Sequence, residues 1–209
     1  MNSVTEEHRI TTVTGLEALY GAPAGAAVAK EIDHLHPHYQ AMIAASPFFV
    51  LATSAPGGVD ASPRGDAPGF VAVEDEKTLL IPDRRGNNRI DSLRNIVANP
   101  HVALLFLIPG IGETLRVNGR AAITTEPALL RRFSVDGKPP RSVIVVFVDT
   151  VYFQCSRAIF RSNLWDPSRH IARETLPSLG RMVADVSRTP FDAEAYDRGL
   201  YERLRATLY

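Results

Sequence analysis

Apolar residues fall along this chain in short runs with a two-residue period, separated by tight polar turns, and that pattern predicts strands. Residues 48–53 (FFVLAT) are rich in β-formers, Pro56-Gly57-Gly58 reads as a turn, and 59–62 resumes an extended run. A hairpin follows. Residues 70–73 and 78–82 predict a second antiparallel pair around the polar turn 74–77. At 88–98 (NRIDSLRNIVA) the period changes: Ile90, Leu93, Ile96 and Val97 recur at helical spacing until Asn99-Pro100 stops the helix. An apolar strand at 101–108, a turn at 109–112 and a long alternating strand at 113–125 come next. A short helix at 127–133, a loop at 136–140 and a last long strand at 141–154 (RSVIVVFVDTVYFQ) complete this part.

Six or seven strands with one substantial helix among them are too tightly spaced for repeated βαβ units. A mostly β, antiparallel barrel with flanking helices is the expected architecture, because closure removes exposed edges. Before it, residues 1–13 read as a loose tail, and 15–20 and 39–45 as short helices interrupted by Pro23, Gly25 and Pro37. After Trp165 the chain turns polar and helical, notably at 192–207, and is expected to pack on the barrel. The expected organisation is a tail with short helices at 1–45, the barrel at 46–165 and a helical appendage at 166–209, within one domain overall.

Composition narrows the function classes. The chain has 209 residues, 45% hydrophobic and 22% charged, an ordinary folded composition. Lys and Arg number 23, as do Asp and Glu, so no net field favours nucleic acid or an anionic membrane. An anion site must be local. The longest apolar runs, 102–108 and 143–148, are far short of the roughly 20 residues that cross a bilayer. The polar first residues lack a secretion pattern, and a cytoplasmic protein is expected. The single cysteine, Cys155, excludes an internal disulfide, and its apolar strand context predicts a buried side chain without chemistry.

Three stretches could carry chemistry. Pro82-Asp83-Arg84-Arg85-Gly86-Asn87-Asn88-Arg89 leaves a strand and opens the helix, placing three arginines where the helix dipole is positive. A bound phosphate, held by helix amides and Arg89 with Asn87 or Asn88 as cap, resolves that conflict; a solvated basic loop is the other reading. Ser62-Pro63-Arg64-Gly65-Asp66-Ala67-Pro68-Gly69 reads as a polar loop in which Arg64 faces a phosphate or pairs locally with Asp66. In the strand at 113–125, Thr114, Arg116, Asn118 and Arg120 share a face that is either ligand-bound or a dimer contact.

The order of these motifs, a hairpin, SPRGD, IPDRRGNNR, a helix closed by ANP, HVALLF and LRVNG, is similar to the FMN-binding split-barrel family related to pyridoxamine 5′-phosphate oxidase. The resemblance spans 46–165, and it is strongest to a bacterial subgroup known for FMN dependence alone. It implies an antiparallel split β-barrel that binds FMN between two subunits of a homodimer. Arg64, Asn88, Arg89 and Ser92 would hold the phosphate, the backbone at Ile81 and Pro82 would flank the isoalloxazine, Arg116 would lie at its polar edge, and Arg161 and Trp165 near the flavin. The chain departs from the oxidase proper, with Asn87-Asn88-Arg89 replacing a Ser-Arg-Lys type run and Thr114 replacing a glutamine. That points to another substrate.

An FMN-dependent oxidoreductase acting on a small molecule, with NAD(P)H as a candidate reductant, is therefore the expected function. No Ser-His-Asp, Cys-His or paired-carboxylate arrangement assigns a catalytic acid or base. A non-catalytic carrier of flavin, deazaflavin or haem on the same fold is the alternative. His34, His36 and His38 could align on an extended segment as metal ligands, but no fourth ligand is evident and no metal is expected.

Overall fold

The computed structural model describes residues 8–209. The first seven positions, part of the expected tail, lie outside the described residues. Among the described residues, seven strands form one antiparallel sheet in the order β2-β1-β5-β6-β7-β4-β3. They are β1 Phe48–Ala55, β2 Gly58–Gly65, β3 Ala72–Asp75, β4 Thr78–Pro82, β5 His101–Leu107, β6 Thr114–Thr124 and β7 Val143–Gln154. The two ends of the sheet, β2 and β3, are not hydrogen-bonded to each other, so the barrel is split.

Alternation places Phe49 and Leu51 of β1, Leu104 and Phe106 of β5, and Leu115 and Val117 of β6 in one interior, which holds the barrel together by burying apolar surface. Two helices close that interior. In α3 (Pro37–Ala45), Tyr39 and Ile43 are buried, and Leu93 and Ile96 of α4 (Asp91–Ala98) pack on the same cluster. Pro37 opens α3 instead of breaking it: at the first helical position its missing N–H costs nothing, and the His36 ring accepts the His38 amide as a cap. The helix α5 (Pro127–Arg132) covers the other side of β4 and β7, where Leu80, Phe133 and Val143 form a second cluster.

Several boundaries differ from the sequence expectation. Strand β2 runs on to Gly65, so Ser62, Pro63 and Arg64 lie in an edge strand, where proline is tolerated, and not in a loop. The helix expected from Asn88 starts at Asp91, after Asn88 and Ile90 take left-handed φ values of 61° and 53°. Alternation along β7 changes phase, with Ile144, Val146 and Val148 inward and then Val151, because Asp149 is an extra residue between Val148, opposite Gly119, and Thr150, opposite Asn118.

Beyond the barrel lie α6 (Arg157–Ser162), α7 (Leu179–Val186), α8 (Ala193–Asp197) and α9 (Leu200–Ala206). The helical stretch expected at 192–207 is two helices, interrupted at Gly199 with φ 65°. Ahead of α3, the short helices α1 (Val13–Tyr20) and α2 (Gly25–Ala29) leave Val13, Leu19, Tyr20 and Val28 exposed. Cys155, expected inside, is exposed. It follows the last residue of β7, and a hydrogen bond from the Arg157 amide lowers its thiol pKa. No helix among the described residues is long and apolar enough to cross a membrane.

Gly119 sits at the β7 bulge, where a Cβ would run into the Phe147 carbonyl of the adjacent strand. Neither backbone can retreat without breaking the β6–β7 ladder. Gly119→Ala is expected to destabilise the protein by about 3 kcal/mol, seen as a lower urea midpoint.

Candidate functional site

The split of the barrel opens into a cleft of about 800 Å³. Its walls are the end of β2, the segment 82–93 that leaves β4 and enters α4, and the loop 138–142 before β7; Tyr209 also lines it. Six basic side chains (Arg64, Arg84, Arg85, Arg89, Lys138 and Arg141) face three acidic ones (Asp60, Asp83 and Asp91), so a chain of zero net charge concentrates positive charge here.

Two ion pairs lace the split. Arg64 Nη1 meets Asp83 Oδ1 at 2.6 Å, and Arg84 Nε meets Asp66 Oδ2 at 2.6 Å, a reciprocal exchange between the end of β2 and the loop after β4. The local Arg64–Asp66 pairing open to the sequence does not form, because each residue takes its partner from the loop after β4. Arg84 also donates to the Phe133 carbonyl at 2.7 Å, and so turns away from the helix start. Burial alone would push the Asp66 carboxyl up, but hydrogen bonds from Tyr209, the Ala67 amide and Arg84 together hold it below the ordinary 3.8. The same Asp66 contact, then burial, raises the Tyr209 hydroxyl above 10.0 and keeps it a donor.

Arg64 is mostly buried, and its Nε has no hydrogen-bond partner. With Nη1 fixed by Asp83, the guanidinium is held with one donor unanswered. Across the cleft, Ile90 precedes α4 without a side-chain cap, so neither Asn87 nor Asn88 caps the helix. Asn87 accepts the Arg89 amide instead, and Asn88 accepts Arg141 Nη1 at 3.1 Å. Arg89 lies ahead of the first turn, exposed, paired at 2.8 Å with Asp91, and that hydrogen bond raises its pKa. A left-handed β-branched residue such as Ile90 carries strain of order 1–3 kcal/mol, which surrounding structure sustains most often at binding sites. The helix itself is firmly seated: Ser92 donates to Asp60, Asn95 to Thr53 and Asn99 to Ser54.

Of the residues singled out from sequence, the fold brings Arg64, Pro82, Asn88, Arg89 and Ser92 to the cleft. Ile81 is buried in the core one residue away. Arg116 is elsewhere, on the outer face of β6, where its Nη1 bonds the Tyr152 hydroxyl at 3.0 Å. Its neighbours there pair with β7 as well, Asn118 with Thr150 and Arg120 with Asp149. Arg161 lies in the last turn of α6, and Trp165 donates to the Ile111 carbonyl at 2.8 Å; neither lines the cleft of its own chain. The imidazoles of His34 and His36 serve locally, on Asp33 and the His38 amide, and no metal-holding group of three His, Cys, Asp or Glu side chains occurs among the described residues. Sequence reasoning passed over Lys138, Arg141 and Tyr209, gave Asp66 only a local pairing with Arg64, and gave Asp83 no role. The basic residues flanking Pro139-Pro140 were a usable signal, whereas nothing local marks Tyr209.

The family described as Pyridoxamine 5′-phosphate oxidase matches residues 35–155 of the chain. Among solved structures, it is similar to HupZ of Group A Streptococcus, with 20% identity, 58% of this chain and 94% of that one covered, and a TM-score of 0.47. General Stress Protein 26 of Bacillus anthracis str. Sterne shares 18% identity over 54% of this chain and 88% of its own, with a TM-score of 0.41. An FMN-binding protein of Syntrophomonas wolfei shares 13% over 55% and 82%, with a TM-score of 0.43. No curated protein matches the chain.

Asp66 titrates lower in the folded protein than in the unfolded chain, so below about pH 4 the unfolded state binds more protons and stability falls with acid. The contribution is complete above the unfolded pKa and is lost as pH falls through the folded one. Asp66→Asn is expected to cost about 3 kcal/mol at neutral pH, by leaving Arg84 unpaired, and to weaken the acid dependence. Urea midpoints should change less in the variant than in the parent between about pH 5 and pH 3.

Proposed function

This chain belongs to the pyridoxamine 5′-phosphate oxidase family, and from that premise we propose that it is an FMN-dependent oxidoreductase whose cleft at the barrel split holds the flavin phosphate. The observation that carries this reading is Arg64 Nε, a buried donor without a partner in a basic cleft. Leaving such a donor dehydrated costs about 1–3 kcal/mol, and a phosphate oxygen would recover that cost. Arg89 would add charge from the opposite wall, Asn88 would add an amide donor, and the first amides of α4 would point their dipole at the anion, while Ser92, whose hydroxyl hydrogen goes to Asp60, keeps the helix in place. The residues present fit the group. The backbone at Ile81 and Pro82 would flank the ring system.

Bound FMN supplies hydride and electron transfer, and the chain supplies position and charge. No side chain is assigned as acid or base. The departures at Asn87-Asn88-Arg89 and Thr114 support a substrate other than the vitamin phosphate, with NADH or NADPH as the reductant to test.

A second copy of the chain would complete the site. The outer face of the sheet is apolar across Pro63, Val50 and Leu105, and again across Ala61, Ala52 and Ala103, before it turns polar at Arg116 and Asn118. A shallow cavity of about 610 Å³ lies on it. A homodimer through this face covers the apolar rows, and Arg116, Arg161 and Trp165 would reach the flavin from the other copy.

Arg89→Ala is expected to weaken FMN about tenfold and leave riboflavin, which lacks the phosphate, unaffected, as read by flavin fluorescence titration. Equal weakening of both flavins, or of neither, removes the phosphate assignment. Anaerobic NADH or NADPH should bleach the flavin spectrum at catalytic rates; a spectrum stable to both favours a carrier.

Ala52→Glu, at the centre of the apolar face, should convert a dimer to a monomer in sedimentation at micromolar concentration and loosen FMN about tenfold or more. A monomeric parent refutes the shared site.

A further inference from the structure

Residues 156–209 form an arm whose helices meet one another: α7 packs on α8, where the Gly180 amide donates to Asp197 Oδ1 at 2.8 Å. Tyr209 nonetheless returns to the cleft. Its hydroxyl donates to Asp66 Oδ1 at 2.6 Å across 143 positions of sequence, and its ring centre lies 5.5 Å from the Arg84 guanidinium carbon. The docking point is built without it: Asp66 already accepts from the Ala67 amide and from Arg84 Nε, and Arg84 is fixed to the Phe133 carbonyl. The Asp66 side chain is only 6% exposed, so the hydroxyl meets a dehydrated carboxylate, the setting in which a charge-assisted hydrogen bond is strongest.

We infer that Tyr209 is a ligand-contacting wall of the cleft, carried there by the arm and latched by Asp66 and Arg84, and that it slows the departure of a flat, phosphate-bearing ligand. With the hydroxyl pinned and the guanidinium beside the ring, the phenol is held at the rim of the same cleft that Arg64 and Arg89 line. Tyr209 itself is held by one hydrogen bond and one cation–ring contact, few enough for it to leave the rim and admit a ligand while Trp165 keeps the start of the arm on the barrel. The identity of the ligand as a flavin rests on the function proposed above; the latch itself does not.

The test uses the full chain and compares Tyr209→Phe and Tyr209→Ala with the parent in two ways. Release of bound FMN is followed by the recovery of flavin fluorescence on rapid dilution, and tryptic cleavage at Arg203 and Arg205 is followed without flavin. Tyr209→Phe should release FMN about threefold faster than the parent and Tyr209→Ala about tenfold faster, with cleavage accelerated in the same order. Release at the parental rate in both variants overturns the wall, and cleavage at the parental rate overturns the latch. If the parent takes up no FMN, the flavin reading fails and cleavage alone decides the latch. Tyr209→Phe, which removes a single hydroxyl, separates these results from misfolding.

Discussion

Two ion pairs exchanged across the split of the barrel, Arg64 with Asp83 and Arg84 with Asp66, are the constraint on which the rest of the site depends. The sheet cannot close by backbone hydrogen bonds, because β2 and β3 end it on opposite sides. Side chains do the joining instead. Each pair is short and largely shielded from water, so removing one partner strands a buried charge at a cost of several kcal/mol. The reciprocity also fixes the end of β2 against the loop after β4, since a shift of either segment would break both contacts. Between the two laced segments lies the cleft.

That lacing decides which charges are available. Arg84 spends its donors on Asp66 and Phe133, so it is a structural residue despite lying in the most basic stretch of the sequence. Arg64 spends one donor and keeps another dehydrated and unanswered. Arg89, further along, is exposed and paired only with its neighbour Asp91. The three arginines thus differ in role through their surroundings and not their chemistry. A cleft with this gradation suits an anion of defined size better than a diffuse polyanion, which would need exposed charge over a wide surface.

Strain is placed at the same point. The chain reaches α4 through Asn88 and Ile90 in left-handed conformations, and α4 is seated on β1 and β2 by Ser92, Asn95 and Asn99. A rigid helix with an uncapped start, reached through a strained approach, is a preorganised set of donors. The outer sheet face plays a complementary part, with its polar rows between β6 and β7 satisfied by cross-strand partners and its apolar rows left open.

By itself the sequence determined the strands, the helix between β4 and β5, and several residues of the basic cleft. Period-two runs, glycine and proline turns and the helical spacing of Leu93 and Ile96 are local signals, and local geometry decides them. It also brought Asn88 and Arg89 forward, because arginines near a helix start oppose its dipole and need an anionic partner, and Arg64, because its guanidinium offers planar donors. Boundaries were less legible: Pro63 concealed the length of β2, which only its place at the sheet edge permits, and nothing along β7 announced the extra residue at Asp149. Tertiary structure alone decided that Arg64 would answer Asp83 and not Asp66, that Arg116 would turn to Tyr152, and that Tyr209 would lie beside Arg84. Those pairings join segments far apart in the chain. The choice among charged partners of equal chemistry depends on which ones folding brings within about 3 Å in a dehydrated place, a quantity that no local pattern encodes.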